Sequence, residues 1–331
     1  MPTAVLDLDI EHLPPVIEVT AHYRRAFVLL RWHGHPIGQI QLPVCDRRVD
    51  RVRLDEIVST RASHVLWKHW LRDRLALDPI APIATPAATV AVCTRDRPDD
   101  LRRCLDALAR LPDDGQEVVV VDNCPRTDAT LHLVRAHPRV RYVREPRPGL
   151  DVARNRALAE ASHPIVAFTD DDAAPDPGWL RGLLRSFDHP LIAATTGLTL
   201  PLELETEAQE LFEEHCSFAR GFARRRFDGT TTDPSIAGRI GGGVNMAVRR
   251  SAVAEVGGFD EALDAGTVTR SGGDHEMFSR LLRGGFYVVY EPDALCWHRH
   301  RRTHAELRAT FYGYGVGVYA GGRGLVLAGG F

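Results

Sequence analysis

Net charge, paired cysteines and long apolar runs are what this sequence has least of. Its 41 Lys and Arg nearly balance its 44 Asp and Glu, for a formal net charge of -3. There is no basic excess to hold a polyanion, so bulk nucleic-acid binding has no support. Six cysteines are scattered as Cys45, Cys93, Cys104, Cys124, Cys216 and Cys296, with no CxxC pair. That excludes a zinc ribbon or a disulfide framework and fits reduced thiols in a cytoplasmic protein. Cys93, at the end of an apolar run, reads as a small core hydrophobe. The opening stretch, MPTAVLDLDIEHLPP, carries acidic residues where a signal peptide needs basic ones, so secretion is not expected. No stretch reaches roughly 18 apolar residues without charge, the length a membrane span needs.

What is present is an ordinary globular composition, 44% hydrophobic and 26% charged, over 331 residues. That supports one large domain, or a domain with an appendage. Arginine is locally dense at Arg224, Arg225 and Arg226 and at Arg299, Arg301 and Arg302. These clusters read as solvated surface or as anion contacts. The apolar, glycine-rich tail from Phe311 to Phe331 reads as a frayed or truncated end, or as a contact for a membrane or a second chain.

Residues 16–44 hold β-type runs, VIEV, AFVLLRW and IGQIQLPV, with a turn at His33-Gly34. Residues 54–76 have helical spacing of Leu54, Ile57, Val58, Val65 and Leu66. Pro79, Pro82 and Pro86 then predict an extended linker. After it, the apolar runs ATVAVC (88–93), EVVVVD (117–122), RVRYV (139–143) and PIVAFT (164–169) alternate with helical patterns. One helix begins near Pro98, with Thr94 or Asp96 as its cap. This β-α-β-α-β order predicts a parallel sheet wrapped by helices. Ligands then bind beyond the carboxyl ends of the strands, where Thr94, Asp122 and Asp170–Asp172 share one edge. Farther on come a helix near 206–220, a strand VNMAV, a helix over 274–283 ending at Gly284-Gly285, and a strand FYVVY.

Asp170, Asp171 and Asp172 carry the most chemistry. Adjacent carboxylates at the end of a buried strand repel one another. A divalent cation, Mn2+ or Mg2+, resolves the conflict, and such ions commonly bridge to substrate phosphates. A helix N-cap role before Pro177-Gly178 is the rival reading. Asp122 reads as a turn residue or as an acceptor for a nucleobase N–H or ribose hydroxyl. Asp274 lies at the start of a helix, in phase with the apolar Met277, Phe278, Leu281 and Leu282, after two glycines. It reads as a cap or as a general base. His298, in CWHRHRR, reads as a metal or phosphate ligand or as a surface histidine, and local sequence does not separate it from His300.

The segments TRDRP, VVVVDN, GLDVARN, FTDDD, GGGVNMAVRR, GGFDE and GGDHE stand in that order between residues 88 and 302. In this the chain resembles the family 2 glycosyltransferases, and within them a bacterial branch. The resemblance implies a GT-A-type α/β fold, a Rossmann-like, mostly parallel sheet flanked by helices. Residues 88–304 would form that domain. Residues 1–80 would be a small α+β appendage of unassigned role, 81–87 a linker and 305–331 a glycine-rich tail. The implied reaction is metal-dependent, inverting glycosyl transfer from a nucleoside-diphosphate sugar to an acceptor hydroxyl.

The implied roles follow residue by residue. Asp170 and Asp172 match the family's DXD motif and, with His298, would hold the metal. Thr94, Arg95, Asp122, Arg154 and Asp171 would contact the donor nucleotide. Asp274 would be the catalytic base. Gly242, Gly243, Asn245 and Glu276 would contact sugar or acceptor. Gly273 stands where many members carry Glu, so a supporting carboxylate is absent there. A sugar-phosphate nucleotidylyltransferase is a weaker reading, because the first loop, CTRDRP, lacks the glycines such enzymes carry. A non-catalytic nucleotide-sugar binding protein is opposed by the retained Asp170, Asp172 and Asp274.

Overall fold

A computed structural model describes residues 2–61, 67, 70, 71, 74, 75 and 86–327. The chain divides into two compact units. The first gathers Met1–Ala84, Pro201–Ser217 and Arg299–Leu307; the second gathers Thr85–Leu200, Phe218–His298 and Arg308–Phe331.

In the first unit, strands β1 (Thr3–Asp9), β2 (Arg25–Trp32), β3 (His35–Cys45) and β4 (Arg48–Val49) form a sheet in that order. β1 is a strand that the sequence pattern does not announce. It runs parallel to β2, while β2 and β3 make an antiparallel hairpin. The hairpin turns at His33 (φ 49°) and Gly34 (φ 79°). Positive φ at both positions matches the right-handed twist of the flanking strands. The VIEV run, by contrast, forms only an isolated bridge from Glu18 to Arg48. Ala26, Val28, Leu30, Ile37, Leu42 and Val44 make the core, closed by Leu54 of the helix Arg51–Arg61. Most of the helix expected beyond residue 61, and residues 81–85 of the expected 81–87 linker, lie outside the described residues.

The first 84 residues do not make this unit alone. Thr3 pairs with Leu204 across a bridge, and Tyr23 donates its hydroxyl to Glu205. The helix Glu207–Cys216, close to the expected 206–220, starts with a capping box between Thr206 and Gln209.

The second unit holds the parallel strands that the alternating pattern predicts. They are β5 (Ala88–Thr94), β6 (Glu117–Asn123), β7 (Val140–Glu145) and β8 (Ile165–Asp170). β9 (Ala173–Pro175), β10 (Ile192–Pro201), β11 (Arg225–Phe227), β12 (Asn245–Arg249) and β13 (Tyr287–His298) complete a sheet ordered β11-β13-β10-β12-β8-β5-β6-β7, with β9 on β13. β5 pairs in parallel with both β6 and β8. β12 is antiparallel to β8. Helices cover both faces, so side chains alternate between two cores. Val90, Val92, Ile165 and Ala167 enter one; Ala91, Val119, Val166 and Phe168 enter the other. That explains why these strands read as continuous apolar runs.

Helix starts are where the sequence reading needs correction. The helix Pro98–Leu108 buries Leu101, Cys104, Leu105 and Leu108 as expected. Its N-cap is Arg97, without a side-chain cap. Thr94 and Asp96 do not cap it, because Thr94 bonds Asp171 and Asp96 bonds Arg126. The helix Gly273–Arg283 is preceded by Gly272 at φ 104°, a left-handed conformation that glycine adopts without strain.

The tail is not frayed through its described part: His304–Leu327 is helical. Gly313, Gly317 and Gly321 recur every fourth residue along one face of it and are buried. A side chain at Gly317 would collide with the backbone of Ser271, and one at Gly321 would touch Glu276. Glycine therefore lets this helix seat closely on residues 270–276. No helix among the described residues is long and apolar enough to cross a membrane.

Candidate active site

β6 leaves one side of β5 and β8 the other, so the connections diverge above Thr94 and open a crevice at the carboxyl edge. The register aligns the site. Thr94 sits opposite Asp122, and Cys93 opposite Asp170. Asp171 and Asp172 follow β8 directly. β9 then pairs with β13 so that Ala173 faces His298, which brings His298 beside Asp172. Here the structure separates the two histidines. His298 Nε2 lies 3.2 Å from Asp172 Oδ1. His300 belongs to the other unit, where it meets Glu213 at 3.1 Å.

Ligand atoms of Asp170, Asp172 and His298 all lie within 4.8 Å of one another. Two carboxylates and an imidazole nitrogen form a donor set that Mn2+ accepts readily. The residues thus fit a divalent cation. Asp171 turns away from this cluster. Its oxygens take hydrogen bonds from Thr94 (2.7 Å) and Arg97 (2.6 Å), and Arg97 also reaches Asp172 at 2.9 Å. Burial, and then the neighbouring Asp172, push the Asp171 carboxyl up to about 7. Burial and Asp172 push Asp170 upward as well. The next helix starts at Trp179 behind Gly178, with β9 in between, so the aspartates do not cap it.

Asp122 is fully buried. Tyr142 donates to its Oδ2 at 2.8 Å, and its Oδ1 has no hydrogen-bond partner. Burial raises its carboxyl above the usual range. Arg95 is exposed on the loop after β5.

Asp274 is the second residue of its helix, and Gly272 is the N-cap; the capping reading of Asp274 is therefore corrected. Its Oδ2 accepts from the Gly243 backbone N–H at 2.5 Å and its Oδ1 from His275 N–H at 2.9 Å. Burial pushes its carboxyl up, but His275, Arg154 and these two N–H groups outweigh burial and hold it below the usual range. Gly242 and Gly243 form the loop leading to β12.

Three residues expected at the ligand surface are engaged elsewhere. Arg154 is buried and bonds Asp151 (2.9 Å) and Asp264 (2.8 Å). Asn245 takes a bond from Trp179 Nε1 and donates to the carbonyls of Leu198 and Ala294, so its amide braces strands. Glu276 is held by Arg280 at 2.5 and 2.6 Å. The arginine clusters are partly ion-paired: Arg224 with Glu291, and Arg299 and Arg302 with Glu203. Sequence reading did not single out Arg97, Tyr142, Asp151 or Asp264. The TRDRP and GLDVARN segments contain Arg97 and Asp151; the partners of Arg97, Asp171 and Asp172, are remote in sequence, whereas Asp151 bonds Arg154 three residues on in its own segment.

A doubly wound sheet with a carboxylate-histidine cluster at its switch-point edge is the GT-A type of glycosyltransferase fold, and comparisons agree. A mannosyltransferase from Pyrobaculum calidifontis, solved in complex with GDP-Man and Mn2+, superposes with a TM-score of 0.50 at 24% identity, over 75% of this chain and 68% of that one. GalNAc-T7, solved with UDP, GalNAc and Mn2+, superposes at 0.51 and 15% identity, over 66% of this chain and 45% of that one. At these identities they speak for the fold.

The family model for glycosyl transferase family 2 matches residues 89–257. The chain belongs to that family. It is 31% identical over 232 residues to a pre-mycofactocin glycosyltransferase of Mycobacterium tuberculosis, covering 68% of this chain and 46% of that protein. The chain thus spans about half the length of that relative.

Proposed function

We propose that this protein transfers a sugar from a nucleoside-diphosphate sugar to an acceptor hydroxyl by a single, inverting displacement. The observation that carries the reading is one edge holding both the Asp170–Asp172–His298 cluster and, on the loop side, Asp274 with both oxygens fixed by backbone N–H groups. Asp170, Asp172 and His298 would hold Mn2+ or Mg2+, which supplies neutralisation of the leaving diphosphate.

Asp122, at the carboxyl end of β6, would take a base N–H or ribose hydroxyl after a shift that uncovers its buried carboxyl. Thr94 and Arg97 hold Asp171 and so shape the floor of the donor site. Arg95, exposed on the loop after β5, would meet phosphate.

In the displacement, the acceptor oxygen forms a bond to the anomeric carbon as the bond from that carbon to the diphosphate oxygen breaks. The acceptor proton passes to the Asp274 carboxylate. Gly243 and His275 keep that carboxylate oriented, and its lowered proton affinity keeps it ionised at neutral pH. Help of this kind is typically on the order of a hundred- to ten-thousandfold.

The Mn2+-bound neighbours, and the naming of relatives as glycosyltransferases, support this reading. Calorimetry with UDP and GDP tests it. At least one should bind far more tightly with manganese than with EDTA; equal binding of both nucleotides under the two conditions would remove the metal bridge from the proposal.

A further inference from the structure

We infer that Asp151 is a positioning residue for Asp274: it holds Arg154 beneath the Gly243 loop, and position 273 is glycine because Asp151 occupies the space a side chain would need. The inference rests on the glycosyl-transfer reading of Asp274. Asp151 lies in the first turn of the helix Leu150–Glu160 and has no exposed surface. Its Oδ1 accepts from Arg154 Nη1 at 2.9 Å, and its Oδ2 is buried without a hydrogen-bond partner. A Cβ placed on Gly273 would overlap that Oδ2. A Cβ placed on Gly243 would overlap Arg154 Nη2.

The same buried pair thus forbids side chains at two positions that flank Asp274. The chain of contacts runs from Asp151 to Arg154, from Arg154 to the underside of Gly243, and from the Gly243 N–H to Asp274 Oδ2 at 2.5 Å. Asp264 is the second partner of Arg154, at 2.8 Å.

This arrangement is costly for the fold. Burial, against the pull of Arg154, pushes the Asp151 carboxyl up to about 8. Apolar residues of similar volume are often neutral or stabilising at such buried ionic positions. A buried carboxyl with one oxygen left unpaired fits a positional requirement better than a stability requirement. Asp151 touches no reacting atom; it sets where Arg154 lies, and Arg154 sets the loop that orients Asp274.

Two measurements test this. The first reads nucleoside diphosphate released from UDP- and GDP-sugars with manganese. Asp151→Ala should lower kcat on the order of ten- to a hundredfold, the scale of a sub-ångström to ångström misplacement, with the donor KM unchanged. Asp151→Asn keeps the acceptor for Arg154 and should retain most of the rate. Asp151→Ala with Gly273→Glu returns a carboxylate to the same space from the opposite helix and should recover rate over Asp151→Ala alone.

The second measurement is thermal melting, which needs no substrate. Gly273→Glu alone should melt well below the wild type, and adding Asp151→Ala should reverse most of that loss. A folded Asp151→Ala with wild-type kcat, or a Gly273→Glu protein that melts like the wild type, overturns the inference. Wild-type protein that releases no nucleoside diphosphate from any donor counts against the glycosyl-transfer reading instead, while the melting comparison still decides the Asp151–Gly273 pair.

Discussion

Asp274→Asn separates the chemistry of the proposed base from its structural duties. The carboxylate accepts two backbone hydrogen bonds, from Gly243 at Oδ2 and from His275 at Oδ1. The amide has one oxygen, so one of these N–H groups will face an NH2 group. Leaving a donor unpaired in a largely buried position costs about 1–3 kcal/mol. For a chain of this size that lowers Tm by several degrees, at about 2–4 °C per kcal/mol. The variant should therefore be folded at 25 °C and modestly less stable.

Loss of the base should reduce transfer by about two to four decades. That equals about 3–5 kcal/mol of barrier at 1.36 kcal/mol per decade. The kinetic loss thus exceeds the stability loss, and partial unfolding does not account for it. Donor and metal binding should be nearly unchanged, because Asp170, Asp172 and His298 form a separate cluster. The assay pairs calorimetry of nucleoside diphosphate and Mn2+ with the rate of nucleoside diphosphate release from the sugar donor. A folded Asn variant that turns over near the wild-type rate would refute the assignment, and His275 and Glu276 would be the next groups to test.

The other predictions concern the metal cluster and the first unit. Asp172→Ala should abolish the manganese dependence of nucleotide binding. Its metal-free Tm should change by no more than a few degrees, because Arg97 keeps its bond to Asp171 and two like charges are separated; a large drop would show that Asp172 is structural. The stabilising effect of Mn2+ should be larger at pH 8 than at pH 5.5. Burial and Asp172 raise the proton affinity of Asp170, one of the three candidate ligands, so at lower pH the ion must displace a proton and at higher pH it neutralises a carboxylate that the fold holds at a cost. A melting shift with manganese that is equal at both pH values would contradict this. A chain beginning at Pro86 should still bind donor but melt earlier, because Leu204 and Glu210 lose Thr3 and Glu205 loses Tyr23; a folded truncation that binds no donor would place part of the site in the first 84 residues.

What the sequence made legible, and what it hid, follows from the range of the physics. β5, β6, β7 and β8 were readable because a strand covered on both faces is apolar at every position, whatever its neighbours. The switch-point rule then placed Thr94, Asp122 and Asp170–Asp172 on one edge without a coordinate. β10 escaped because IAATTGLTLP is built from small residues and threonines that are buried along the whole strand, with neither alternation nor a strong apolar run. His298 and His300 looked alike in CWHRHRR because a two-residue step keeps the same strand face. Only the end of β13, and its pairing with β9, distinguishes them.

The supporting shell was the least legible part. Arg154 stands three residues after Asp151 on one helix, a pairing that spacing allows, but nothing local says that it also meets Asp264 and lies under Gly243. The glycines did carry a signal, but an ambiguous one. By sequence, Gly273 reads as a gap where a supporting carboxylate would stand. In the folded chain the space beside it is filled by Asp151, from a helix more than a hundred residues earlier. A glycine next to a reactive carboxylate therefore has two physical meanings, room for substrate or room for a neighbouring side chain. Positions 243 and 273 have the second, and the buried carboxylate and guanidinium that need that room are what hold the Asp274 end of the site in place.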